Sequence, residues 1–329
     1  MSFNRKDLLG LEYLDKKEIQ TILDSARPFK NMFTRSIKKA PALVGKTVVA
    51  LFYEPSTRTR TSFEVAAKRL SADVVNIATA TSSIVKGESL VDTGKTLEAM
   101  KADIIIIRNT IAGTPHLLAK NLKASIINAG DGFHEHPTQG LLDLFTMYEK
   151  KRKIEGLKVL LVGDIVHSRV AKSNIWALTK FGAKVKVVGP PTLIPKNISE
   201  LGVEVFYNLD EAIKDVDVIN ILRIQKERQQ ENFFPSDHEY IEFYQLTKER
   251  LLKAKPDVLI MHPGPMNRGI EISSEVADSP LAVINEQVTN GIAIRMAVLY
   301  LLATARNKRK NRGWNVNSNK KYKNYWSFN

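Results

Sequence analysis

The chain is predicted to fold as α/β, with two doubly wound domains, each a mostly parallel sheet flanked by helices, and an active site in the cleft between them. Three observations carry this. Short β-branched runs alternate with longer segments of helical periodicity, as in strand–helix–strand units. The runs are continuously apolar rather than alternating, the pattern of strands covered on both faces. They form two series separated by one helical segment, in a chain of 329 residues that is long enough for two cores.

The first series is Thr47–Tyr53, Asp73–Ala78, Asp103–Arg108 and Ser125–Ala129. Behind its first strand, Ser56 or Thr57 suits a helix N-cap and Ser62–Leu70 reads as the helix itself. Pro137–Lys153 follows, with Leu141, Leu144, Phe145 and Tyr148 at helical spacing behind a first-turn proline, and reads as a helix bridging the domains. The second series is Lys158–Gly163, Lys184–Val188, Glu204–Tyr207, Asp217–Leu222 and Asp257–His262. Near the end, Asn285–Arg306 places Val288, Ile292, Met296, Leu299 and Ala303 on one helical stripe that can pack back on the first domain. The expected division is a first domain over 1–135 completed by the helix at 286–306, a second over 136–285, and a disordered basic tail over 307–329.

Composition narrows the function classes. The absence of cysteine excludes disulfides, a thiol nucleophile and thiolate metal sites. No apolar run of roughly 18 residues and no hydrophobic leader is seen, so a cytoplasmic protein without a membrane span is expected. The formal charge of +14 raises the question of nucleic acid, but residues 307–329 hold seven Lys or Arg and no acid, half of that excess. With Trp314, Tyr322, Tyr325 and Trp326 the tail could stack on bases, or be a polar extension without structure.

The chemistry-bearing residues fall at the carboxyl ends of the strands, where open parallel sheets bind ligands. The run Glu54-Pro-Ser-Thr-Arg-Thr-Arg-Thr-Ser-Phe-Glu64 sets hydroxyls and the forked guanidinium of Arg58 at a helix start. Hydroxyls, free backbone amides and a guanidinium suit a phosphate, and the same residues would also suit a capped surface helix. Arg108, Arg169 and Arg223 each follow an apolar strand, with Gln225 beside the last, a set that suits carboxylates and phosphate. His136 precedes the proline of the bridging helix, where a neutral imidazole could donate to a carbonyl oxygen or merely cap the helix. His134 and His136 flank Glu135 without a third recognisable ligand, so no metal is expected. No G-x-x-x-x-G-K-[ST] loop occurs and GDIVHSR lacks the glycines of a dinucleotide loop, so no nucleotide cofactor is expected.

Together these residues resemble the aspartate/ornithine carbamoyltransferase family. The matching stretches are FYEPSTRTRTSFE at 52–64, SSIVKGES at 82–89, IIIIR at 104–108, NAGDGFHEHPTQGLLDL at 128–144, GDIVHSRVAKSN at 163–174, LRIQKER at 222–228 and HPGPMNRGIEI at 262–272. The resemblance covers about residues 4–306, in the family's order and spacing, and only the tail after Arg306 has no counterpart.

The resemblance implies a carbamoyl-phosphate domain in the first half and an amino-acid domain in the second. By it, Ser56, Thr57, Arg58 and Thr59 hold the phosphate with Arg108, while Thr59, Arg108 and His136 polarise the carbamoyl oxygen and Gln139 meets the carbamoyl amide. Ser82 and Lys86 would reach a neighbouring subunit's site in a homotrimer; Arg169, Arg223 and Gln225 would hold the carboxylates of aspartate, with Lys86 and the Gly264–Pro265 backbone completing that site. Glu54 would pair with arginines rather than react. The cationic stretch Arg223–Arg228 and His262-Pro-Gly-Pro265, in place of the HCLP of ornithine enzymes, point to L-aspartate over ornithine. Regulatory chains or dihydroorotase are partners that the family admits.

Overall fold

The computed structural model describes residues 3–78, 87–224 and 236–311. The first half runs α1 (Lys16–Asn31), β1 (Thr47–Phe52), α2 (Thr57–Arg69), β2 (Asp73–Ala78), α3 (Leu90–Ala99), β3 (Ile104–Asn109), α4 (Thr114–Asn121), β4 (Ser125–Asp131) and α5 (Pro137–Lys151). The second half runs β5 (Lys158–Val162), α6 (Arg169–Lys180), β6 (Lys184–Val188), β7 (Val203–Phe206), α7 (Leu209–Ala212), β8 (Val218–Ile221), α8 (Asp237–Tyr244), α9 (Lys248–Leu251), β9 (Leu259–Met261), α10 (Ser274–Ala277) and α11 (Ile284–Asn311).

Two wholly parallel sheets result. The first has strand order β2-β1-β3-β4 and the second β7-β6-β5-β8-β9. In each, the order reverses between two central strands: β1 and β3 in one, β5 and β8 in the other. At such a switch point the connections leave in opposite directions and open a crevice above the strand ends. The residues at the ends of these four strands are the Glu54–Thr59 run, Arg108, the Gly163–Arg169 loop and Arg223.

The nine expected strands are all present, with ends shifted by no more than two residues. Strand β2 departs from the expectation of two covered faces, since it lies at a sheet edge and leaves Val75 45% exposed. Helix α2 begins at Thr57, five residues before the expected start, because the hydroxyl and arginine run is itself the first helical turn. Ser56 is its N-cap, but its side chain makes no capping bond. Pro137 opens α5 as expected, where a missing N–H costs nothing.

Helix α11 continues to Asn311, beyond the expected Arg306, so the first residues assigned to the tail are helical. It packs against α1, α2 and α5, which returns it to the first sheet's side. Its stripe begins later than expected: Val288 is 53% exposed, whereas Met296, Leu299 and Ala303 are buried. By length and composition Ile284–Arg306 could cross a membrane, yet 67% of its apolar window is buried inside the protein, as befits a core helix enclosed by three others. One apolar cluster runs from Leu8 and Ile22 through Phe63, Leu141 and Phe145 to Leu161 and Leu299, joining the helices of both sheets.

Candidate active site

The phosphate-type run lies where α2 leaves β1. Thr59 is buried on the inner side of the first turn, while Thr57 and Arg58 are exposed and Ser56 is half-buried. The guanidinium of Arg58 lies against Gly264, in the loop after β9, so closely that a Cβ there would collide with it. Gly264 has φ +63°, a second reason for glycine, and is joined to Pro265 by a cis peptide. Burial, and then the like charge of Arg223, hold Arg58 below the usual guanidinium range. Residues 58, 223 and 264 thus meet at one place although they come from two sheets. Guanidiniums that face one another define a position favourable to an anion.

Behind this sits a buried ion-pair node. Glu54 Oε1 is 2.5 Å from Arg108 Nε and also accepts from Arg169 Nη2. Arg108 Nη1 in turn reaches Thr59 Oγ1 and the carbonyl of Ala129, both at 3.4 Å. Arg169 is 3% exposed and its pKa is lowered to about 10, first by burial and then by Arg108, with Glu54 opposing both. Its Nη1 is buried without a hydrogen-bond partner among the described residues, which leaves one prong of the fork for a further acceptor. Gly130, at φ +118°, admits that fork, because a Cβ there would stand 2.9 Å from Arg169 Cζ.

His136 is the N-cap of α5 and is buried. Its own N–H donates to Ser173 Oγ at 3.0 Å, and Ser173 Oγ donates to Glu135 Oε2 at 2.8 Å. Glu135 also accepts from Leu11 N at 2.8 Å and Glu12 N at 3.1 Å, so α6 and the N-terminal segment together fix the turn that carries His136. Burial raises the Glu135 pKa, and those donors pull it back. Gln139, one turn along α5, donates to Asp143 Oδ1 at 3.0 Å.

The loops of the second sheet are tied together. His262 Nδ1 accepts from Gly264 N at 2.8 Å, and His262 Nε2 lies 3.4 Å from Glu271 Oε2. Glu271 accepts from Ile224 N at 2.8 Å and from Asn267 N at 2.7 Å. One buried carboxylate therefore sets the spacing of the Arg223 and Gly264–Pro265 segments.

Of the residues singled out in the sequence, Ser56, Arg108, His136, Arg223, Gly264 and Pro265 sit at strand ends or in the loops beyond them, Thr57, Arg58, Thr59 and Arg169 in the first turns of the helices those loops open, and Gln139 in the first turn of α5. Ser82, Lys86 and Gln225 lie outside the described residues. The sequence reading missed the supports: Ser173, Glu135, Asp143 and Glu271. Their signal was polarity inside apolar helical or loop contexts, which names no partner until the chain is folded. It also missed His116 and Asp131, which lie beside His134, where a third ligand had not been recognised.

Comparison with known proteins agrees with this arrangement. Residues 6–149 match the family described as "Aspartate/ornithine carbamoyltransferase, carbamoyl-P binding domain", and residues 155–302 match its "Asp/Orn binding domain". The chain is 78% identical over 311 residues to the aspartate carbamoyltransferase catalytic subunit of Endomicrobium trichonymphae, covering 94% of this chain and 99% of that protein. It is 60% identical over 303 residues to the subunit of the same name from Halothermothrix orenii, covering 92% and 97%. Among solved structures, ornithine carbamoyltransferase from Pyrococcus furiosus superposes with a TM-score of 0.81 at 34% identity, covering 92% of this chain and 98% of that one. Aspartate transcarbamoylase from Trypanosoma cruzi in complex with N-(phosphonacetyl)-L-aspartic acid gives 0.81 at 29% identity, covering 89% and 94%. With both halves matched in order and relatives this similar along nearly its whole length, the chain belongs to the aspartate/ornithine carbamoyltransferase family.

Proposed function

We infer that the chain is a catalytic chain that transfers the carbamoyl group of carbamoyl phosphate to the amine of L-aspartate, giving N-carbamoyl-L-aspartate and phosphate, in cytosolic pyrimidine (UMP) synthesis. The observation that carries it is the meeting of Arg58, Arg223 and Gly264 between the two sheets, in a chain 78% identical to an aspartate carbamoyltransferase catalytic subunit.

The chemistry asks for little beyond position and charge. Two anions must be brought together, the aspartate amine attacks the carbamoyl carbon, a tetrahedral oxyanion forms, and phosphate leaves. Ser56, Thr57, Arg58 and Thr59 at the start of α2 take the phosphate, where free backbone N–H groups and the helix dipole favour an anion. Thr59, Arg108 and His136 converge on the carbamoyl oxygen and stabilise the oxyanion, and Gln139 takes the carbamoyl amide. Arg169 and Arg223, with Gln225, take the aspartate carboxylates; the spare Nη1 of Arg169 supports its part. Holding both substrates in attack geometry supplies much of the rate. Lys86 and Ser82 come from a neighbouring chain in a homotrimer.

Transfer to ornithine is the competing reading, and the fold alone does not separate the two, since an ornithine enzyme superposes as well as an aspartate enzyme. Arg223 does separate them, because a guanidinium attracts a side-chain carboxylate and repels the ornithine amine. A colorimetric ureido assay on the purified protein should show product with aspartate and none with ornithine; the reverse would overturn the assignment. Mixing inactive His136→Ala and Lys86→Ala variants tests the shared site. Regained activity is expected if one site draws on two chains, and none if each chain is self-sufficient.

A further inference from the structure

The turn that leads to His136 carries a second constellation for which carbamoyl transfer has no use. His116 on α4, Asp131 at the end of β4 and His134 each offer one ligand atom to a common space, all within 4.8 Å of one another. Asp131 is fully buried and held by Gly113 N at 2.8 Å, Asn128 Nδ2 at 2.7 Å and Glu135 N at 3.2 Å. His134 Nδ1 stands 3.2 Å from both Asp131 oxygens. His116 Nε2 is buried with no hydrogen-bond partner among the described residues, a state that buried ring nitrogens rarely keep without a ligand or water. The His116 ring is braced edge-on by Tyr13 and His134, with centroids 5.7 and 5.6 Å away.

We propose that His116, Asp131 and His134 form a site for one divalent transition-metal ion, Zn2+ by its donor set, with a fourth position left to water. Two imidazoles and a carboxylate are the nitrogen and oxygen ligands that such ions prefer. Ligand atoms about 2.0–2.1 Å from a tetrahedral ion lie about 3.3–3.4 Å apart, a spacing the Asp131–His134 pair already nearly has. His116, within 4.8 Å of the other two ligand atoms, closes the set by moving inward. The surrounding charge favours a cation, since Glu12 and Glu135 act on His134 together with Asp131. Lys172, bonded to the carbonyl of Phe133, and Arg169, which also acts on Asp131, are opposing cations. The competing occupant is a proton on His134 shared with Asp131, which an ion must displace. None of the three ligands belongs to the proposed catalytic set, so the ion is structural: it ties α4 and β4 to the turn that carries His136.

The test uses the full-length protein, stripped with chelator and titrated with Co2+ and then Zn2+. One Co2+ per chain with the visible ligand-field bands of a tetrahedral site is expected, displaced by Zn2+. His116→Ala should keep the parent's circular dichroism and lose from its ion-free Tm only the packing of the ring on Tyr13 and His134, while its Co2+ affinity falls by more than about tenfold. His116→Cys should bind again and add a sulfur-to-cobalt charge-transfer band. Affinity unchanged in His116→Ala, or Co2+ bound without tetrahedral bands, would overturn the proposal.

Discussion

Glu54 illustrates how one residue here serves two others. Its carboxylate lies between Arg108 and Arg169, two guanidiniums that otherwise repel one another. Glu54→Gln leaves that repulsion inside a mostly buried site, so a loss of stability of about 3 kcal/mol is expected in urea unfolding, with a higher KM for aspartate. His136 is placed by the Ser173 and Glu135 chain rather than by solvent. His136→Ala should lower kcat by about 10²–10³ with an unchanged far-ultraviolet spectrum, the scale for removing one donor to an oxyanion. Arg58, Arg108 and His136 stand out in the sequence by residue type and strand-end position, and the fold keeps all three at the carboxyl ends of the first sheet's strands. That Glu54 pairs with arginines was legible only through the family resemblance, and which arginines only in the fold, because Arg108 and Arg169 lie far along the chain. Glu64, at the end of the same run, bonds Lys68 at 2.6 Å and Asn76 of β2 at 2.9 Å.

At the scale of elements, the strand ends and the glycines that let loops approach them decide the site. Gly130 combines φ +118° with contact to Arg169, so Gly130→Ala must strain the backbone and push the fork aside. A loss of about 1–3 kcal/mol, read as a lower Tm, is expected together with a raised KM for aspartate. Strands were readable because they are buried apolar runs, and α5 because proline marks its start. The start of α2 was not, since its first turn is made of hydroxyl and guanidinium residues rather than of an apolar face. The stripe of α11 was misread at Val288, because a helix enclosed by three others buries several faces beyond its N-terminal turn and no single periodicity describes it.

The whole molecule is joined by a buried polar node at Asp143. It accepts from Gln139, from Asn174 on α6, from Asn220 on β8 and from Gln287 on α11, so one carboxylate on α5 links α6, the second sheet and the returning helix. Burial raises its pKa from 3.8 to about 6, against the pull of those donors. Between those values the folded state keeps a proton that the unfolded chain has lost, so this group's contribution to stability falls as pH rises through the window, by about 3 kcal/mol. Asp143→Asn cannot titrate, and its urea-unfolding free energy measured at about pH 4 and pH 7 should lack that fall relative to the parent. Removal of residues 312–329, which lie outside the described residues, is expected to leave turnover intact; a large loss would give the basic extension a part in catalysis.

By itself the sequence determined the α/β class, the two strand series and the family, because buried parallel strands and anion-binding loops are local patterns carried by neighbouring residues. It also marked the residues able to bind phosphate and carboxylate. Only the tertiary structure decided that Arg58 meets Arg223 and Gly264, that Glu54 joins Arg108 to Arg169, and that Asp143 anchors four amides. The same holds for His116 and Asp131 beside His134. These are contacts between residues distant in the chain, set by which strand lies next to which, and no periodicity along a single segment encodes that order.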